Sequence, residues 1–145
     1  MLKMPRYWEN KISHPSDVLS FLGNARYLSI EHFYLIFVDK DRNVSWAKDF
    51  AEGTEINCKV DIRKLCKLLT AKMPVGLIIA HNHPNGDMQP SSDDNNLTAH
   101  VTFMCESLGI QLLDHVIVGC YGYYSYAESN LKLLDSKKFL KVAEL

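Results

Sequence analysis

Two hydrophobic periods alternate along this chain, and their order predicts an α/β fold with a mixed β-sheet flanked by helices. A first helix is expected over about 15–27, with Ser13 or Ser16 as its N-cap. Apolar runs then predict strands at 31–38 and 44–50, joined by the turn formers Asp39-Lys40-Asp41-Arg42-Asn43 as a hairpin. Asp61 opens a second helix to about Lys72, with Ile62, Leu65, Cys66 and Leu69 on one face. Val75-Gly76-Leu77-Ile78-Ile79-Ala80 reads as a buried strand over 75–81, and a long helix follows from Ser92 to Leu108, stopped by Gly109. Strands at 110–118 and 122–127 complete the pattern. The strand–helix–strand from Val75 to Val118 is a crossover, which requires parallel pairing.

The tail at 130–145 places Leu131, Leu134, Phe139, Leu140 and Val142 at helical spacing, with Lys132, Lys137, Lys138 and Lys141 as a basic face. A helix packed on the domain or on a sister subunit is the expectation, and a homo-oligomer stays open. Four lysines do not make a nucleic-acid patch.

With 145 residues the chain suits one domain, burying roughly 68–70% of the unfolded surface. A net charge of −1 creates no global field for nucleic acid or an anionic membrane. Met1 to Lys11 is mixed and charged without a signal-peptide core, and no apolar run nears the roughly 20 residues of a membrane span. A soluble cytoplasmic protein is therefore expected. Cys58, Cys66, Cys105 and Cys120 lack C-x-x-C spacing, which excludes a zinc finger, and Cys66 and Cys105 on apolar helix faces read as reduced packing thiols.

The candidate chemistry lies in His81-Asn82-His83-Pro84-Asn85-Gly86-Asp87-Met88-Gln89-Pro90-Ser91-Ser92-Asp93-Asp94. Side chains alternate along a strand, so His81 and His83 leave its carboxyl end on the same side. Ser91 suits the N-cap of the next helix and Asp94 falls at N3, where an acid is favoured. Two imidazoles and a carboxylate suit zinc with one position open to water. Histidines near a strand end are more often plain hydrogen-bonding residues, and turn-rich loops are common; the added Ser91–Asp94 spacing tips the reading toward metal.

His81-x-His83, seven residues, Ser91, two residues and Asp94 resembles the JAMM (MPN+) metallopeptidase motif, and the surrounding wording is similar to its RadC-like JAB branch. That branch carries HNHPSGD, a later LLDH and an aromatic-Ser strand; here stand Asn85 in place of its Ser, Leu112-Leu113-Asp114-His115, and Tyr123-Tyr124-Ser125-Tyr126. The resemblance spans about 29–129, so it implies a single three-layer-like JAB/MPN domain there, with 1–28 an N-terminal helical segment and 130–145 a tail. It implies Zn²⁺ on His81, His83 and Asp94, Glu31 as general base and Ser91 at the oxyanion. The implied reaction is metal-assisted hydrolysis of an amide or isopeptide bond in a protein or peptide substrate; a ubiquitin-like conjugate or a small amide also fits. The competing class is an accessory partner-binding module in DNA repair or mobile-element biology. About thirty residues precede Glu31, too few for the separate helix-hairpin-helix region of longer relatives, so direct DNA binding is not expected.

Other metal and nucleotide chemistries fail on residues. The H-x-E with P-C-x-x-C of nucleobase deaminases and the H-E-x-x-H of zincins are absent, and the ββ-metal-α pattern of HNH nucleases is not present. Glu52 and Glu55 read as solvated loop acids. His14 belongs to the terminal segment, His32 faces away from Glu31, and His100 lies on the helix after Asp94 without motif support. The Asp114-His115 pair is either a structural hydrogen bond or a contact behind a metal ligand.

Overall fold

The computed structural model describes residues 10–52 and 60–129. The tail at 130–145, Glu55 and Cys58 lie outside the described residues.

Five strands form one mixed sheet in the order β2-β1-β3-β4-β5. These are β1 (His32–Val38), β2 (Val44–Glu52), β3 (Gly76–Asn82), β4 (Gln111–Gly119) and β5 (Gly122–Ser125). β1 pairs antiparallel with both β2 and β3, β3 pairs parallel with β4, and β5 returns antiparallel on β4. The one parallel pair is the one the crossover required. It is spanned by α3 (Ser92–Leu108), while α1 (Pro15–Leu22) and α2 (Ile62–Lys72) precede β1 and β3.

Helices cover both faces, which is why β1 and β3 are buried almost throughout and read as continuous apolar runs. On one face Val18, Phe21, Leu22 and Ala25 pack on Tyr34, Ile36, Ile78, Ala80, Val116 and Val118. On the other, Leu65 and Leu69 of α2 and Val101 and Cys105 of α3 pack on Phe33, Leu35, Phe37, Leu77 and Ile79. Each large apolar side chain removed from water contributes about 1.5–3 kcal/mol, so these two layers hold the sheet between them. The result is the three-layer α/β arrangement expected. No helix among the described residues is long and apolar enough to cross a membrane.

Several boundaries differ from the sequence expectation. β2 runs on past residue 50 to Glu52, so Glu52 ends a strand paired with His32 instead of lying in a loop. The first helix does not run to Tyr27: it ends at Leu22, where Gly23 turns to φ 58°, and a 3-10 turn covers Gly23–Tyr27. Its N-cap is His14 instead of Ser13 or Ser16. Pro15 occupies the first helical position, so the cap falls on His14, whose Nδ1 accepts from Ser16 N while the Asp17 carboxylate accepts from the His14 and Ser13 amides. The last strand stops at Ser125, not at residue 127. The Asp114 carboxylate takes Ser125 Oγ at 2.6 Å and Ala127 N at 2.9 Å, and this turns the chain into the short helix α4 (Tyr126–Ser129).

The remaining local signals act as read. Asp61 caps α2 through Arg63 N and Lys64 N. Asp39 Oδ1 closes the β1–β2 turn by accepting from Asp41 N and Asn43 N. Gly109 ends α3 at φ 73°, a left-handed position that glycine takes without strain.

Candidate metal centre

The antiparallel register sets Phe33 opposite His81, so the start of β1 lies beside the end of β3. Glu31 immediately precedes β1, His81 lies in the last turn of β3's pleat, and His83 follows one residue beyond the strand. α3 then begins above the same sheet end and supplies Asp94 at its third position. One donor atom from each of Glu31, His81, His83 and Asp94 lies within 4.8 Å of all the others.

The spacings are narrow. His81 Nε2 and His83 Nε2 are 2.8 Å apart. Asp94 Oδ1 is 3.3 Å from His81 Nε2, Asp94 Oδ2 is 3.2 Å from His83 Nε2, and Glu31 Oε1 is 3.7 Å from His81 Nε2. Tetrahedral donors around zinc, at bond lengths of about 2.0–2.1 Å, sit roughly 3.3 Å from one another. The donor types and their separations fit such an ion.

Each candidate ligand is held from behind. Asp94 and Ser91 form a reciprocal capping box: Asp94 N donates to Ser91 Oγ at 3.0 Å, and Ser91 N donates to Asp94 Oδ2 at 2.9 Å. His83 Nδ1 lies 2.6 Å from the Asp87 carbonyl, which can only accept, so the ring's proton sits on Nδ1 and its Nε2 lone pair faces the cluster. Two Asx turns shape that loop, with Asn85 Oδ1 accepting from Asp87 N and Asp87 Oδ1 from Gln89 N. Asn85 thus performs a turn role suited to Asn or Ser. His81 Nδ1 lies 2.8 Å from His115 Nε2.

Electrostatics follow from burial against charge. Burial alone would raise the Asp94 carboxyl, but the imidazoles of His81 and His83 and the Ser91 amide outweigh it and hold Asp94 far below the usual carboxylate range. Burial lowers His81 despite Asp94 beside it. In His83 burial is outweighed by Asp94, the Asp87 carbonyl and Glu31, so its value is raised. A cationic charge is favoured among these four groups.

The chain matches the RadC-like JAB domain over residues 12–131. It belongs to the RadC-like JAB domain family. This RadC-like chain is 33% identical over 130 residues to a UPF0758 protein of Coprothermobacter proteolyticus, covering 85% of this chain and 54% of that one. A UPF0758 protein of Clostridium botulinum is 36% identical over 119 residues (81% and 52%), and one of Symbiobacterium thermophilum 34% over 121 residues (83% and 52%). The RadC-like chain therefore spans about half the length of the curated relatives it matches.

Of the five residues singled out by motif, four converge, and Ser91 stands beside them as the exposed N-cap of α3. His100 is exposed on α3 and is not among the converging groups. His32 points to the other face, where it pairs with Asp49 at 2.7 Å and stacks on Tyr34. His14 caps α1. Asn82 and Thr98 have no signal in the motif, and of the two readings open for Asp114-His115 both hold: Asp114 accepts from His115 N at 2.8 Å, and the His115 ring stands behind His81. Asn82 is fully buried between the two histidines and grips the segment that carries Glu31. Thr98 and His115 lie behind His81. Thr98 could have been found one helical turn after Asp94, and His115 from the parallel register that sets it beside Ile79, two residues before His81 on the same face.

Proposed function

We propose that this chain is a zinc-dependent hydrolase that cleaves an amide or isopeptide bond in a protein or peptide. The observation that carries the reading is the convergence of Glu31, His81, His83 and Asp94 within 4.8 Å at the sheet end. His81 Nε2, His83 Nε2 and an Asp94 oxygen would hold the ion. Zinc so held supplies Lewis acidity and a water that ionises near neutral pH, because only one of three ligands is anionic. Glu31 Oε1 accepts the proton of the attacking water and returns it to the leaving nitrogen. Ser91 Oγ accepts from Asp94 N, which leaves its own proton available to donate to the developing oxyanion. The capping box thereby ties the orientation of a ligand and that of the oxyanion donor to one helix terminus.

The test is elemental analysis of protein purified without added metal or chelating resin, beside a His81→Ala/His83→Ala variant and Glu31→Gln. Near-stoichiometric zinc in the wild type and in Glu31→Gln, lost in the double variant, supports the reading. Hydrolysis of a peptide or isopeptide library by the wild type and not by Glu31→Gln supports the role of Glu31. If zinc supplied at neutral pH binds neither wild type nor variant, the hydrolase reading falls and a partner-binding module in DNA repair or mobile-element biology takes its place.

A further inference from the structure

Behind His81 runs a chain of short contacts that reaches no solvent. His81 Nδ1 lies 2.8 Å from His115 Nε2, His115 Nδ1 lies 2.6 Å from Thr98 Oγ1, and Thr98 Oγ1 lies 2.7 Å from the backbone oxygen of Asp94. His81 is 2% exposed, and His115 and Thr98 are fully buried, so water does not complete any of these bonds.

The far end decides the direction of the whole chain. A carbonyl oxygen only accepts, so the single Thr98 proton goes to Asp94 O. Thr98 Oγ1 must then accept from His115, which puts the His115 proton on Nδ1. His115 Nε2 is left as a lone pair and accepts from His81, which puts the His81 proton on Nδ1. His81 Nε2 is consequently a lone pair aimed at His83, Asp94 and Glu31. Turning one ring alone leaves two lone pairs or two protons facing within the buried chain, and turning the whole chain leaves Thr98 Oγ1 and the Asp94 carbonyl as facing acceptors 2.7 Å apart. The Nε2 lone pairs that His81 and His83 turn toward each other, 2.8 Å apart, are those a cation would satisfy.

The geometry holds this chain in place. Tyr126 stacks on His115 with ring centroids 4.8 Å apart and planes 8° from parallel, and its hydroxyl donates to Asn95 Oδ1 at 2.7 Å. Asp114 anchors the same strand by accepting from His115 N at 2.8 Å and from Ser125 Oγ. The Leu112-Leu113-Asp114-His115 and Tyr123-Tyr124-Ser125-Tyr126 segments therefore converge on one ring.

We infer that Thr98, acting through His115, locks His81 in its Nδ1-protonated tautomer and so keeps its Nε2 lone pair ready for a cation. Thr98 and His115 are positioning residues, and the inference rests on the metal-site reading only for its consequence in affinity. The dipole logic is that of ligand histidines whose other nitrogen donates to an oriented acceptor; here the acceptor is a second imidazole whose own orientation is set by a threonine on the same helix as Asp94. Asp94 thus contributes its carboxylate to the cluster and its carbonyl to the lock.

The experiment uses the full chain with ¹⁵N-labelled histidine. Two-bond ¹H–¹⁵N spectra of the metal-free wild type should show His81 and His115 protonated on Nδ1. Thr98→Val, which keeps shape but removes both the donor and the acceptor, should release His115 and move the His81 proton to Nε2. Thr98→Ser should restore the wild-type pattern. By competition with a chromophoric chelator, Thr98→Val should bind zinc about 10–100-fold more weakly, the range for such supporting contacts, with Thr98→Ser near wild type. A His81 proton on Nε2 in the wild type overturns the inference even if Thr98→Val fails to fold. Equal zinc affinity in the wild type and a folded Thr98→Val overturns it while leaving the metal site standing. A wild type that binds no zinc sinks the site reading alone, and the tautomer spectra then decide the lock.

Discussion

Asn82 Oδ1 accepts a hydrogen bond from His32 N at 2.7 Å, across fifty residues of chain. Its amide nitrogen donates to Ile30 O at 3.0 Å and to Leu28 O at 3.4 Å. The residue between two candidate ligands thus grips the backbone on both sides of Glu31 from the opposite face of the sheet. Asn82→Ala leaves part-buried backbone groups of Leu28, Ile30 and His32 without this partner and should cost about 1–3 kcal/mol in urea unfolding. It should also free Glu31 from its place beside His81. Wild-type stability in this variant would remove Asn82 from the support of the site.

Metal-free protein should lose stability as pH falls below about 6.5. Burial lowers His81 and pushes His115 well below the ordinary histidine value, so between those folded values and 6.5 the unfolded chain binds protons that the native state refuses. The stability is complete above 6.5 and erodes with acid by up to about 1.4 kcal/mol per pH unit for each histidine. His83 is raised, so its contribution is present below 6.5 and is lost as pH climbs through its folded value. Asp94, held low, contributes only to loss in stronger acid. Unfolding curves between about pH 5 and pH 8 check this; a flat or rising stability on going from 6.5 to 5 would contradict the burial of these two imidazoles.

The thiols should separate by reactivity. Burial, aided by Glu106, pushes the Cys105 thiol up to about 12, and the side chain is fully covered in the core. Cys120 is exposed in the β4–β5 turn. Iodoacetamide at pH 8 should label Cys120 in the native protein and Cys105 only after denaturation, read by peptide mass spectrometry. Native labelling of Cys105 at the rate of Cys120 would refute its place in the core.

Gly76→Ala should destabilise the protein through crowding alone. A Cβ there would sit 2.8 Å from Val38 Cγ2 and 3.4 Å from Leu113 Cδ1, within the β1–β3 pair. Overpacking of this kind costs about 1–3 kcal/mol. Val38→Ala removes the obstructing methyl, so the double variant should lose clearly less than the sum of the two single losses in thermal unfolding. Strict additivity would show that the contact does not carry the cost.

Much of the site was legible before any fold was seen, because its signals are short-range. A period of two sends His81 and His83 to one side, and the Ser91–Asp94 spacing is a capping box that turns a carboxylate toward the strand end. The crossover rule made β3 and β4 parallel, and turn chemistry at Asp39–Asn43 and Gly109 set where elements stop. Glu31 was reachable only through resemblance to relatives, since its approach to His81 depends on the β1–β3 register, not on neighbouring residues.

What tertiary structure alone decided are the partners that stand behind the ligands. His115 meets His81 across 34 residues, Asn82 meets His32 across 50, and Asp114 ends the last strand by capturing Ser125 and Ala127. Local patterns specify which face a side chain takes, because backbone geometry repeats every two or 3.6 residues. They carry no information about which buried donor will meet which acceptor. That choice belongs to strand register and helix placement, where burial makes an unmatched polar group costly and so selects one arrangement.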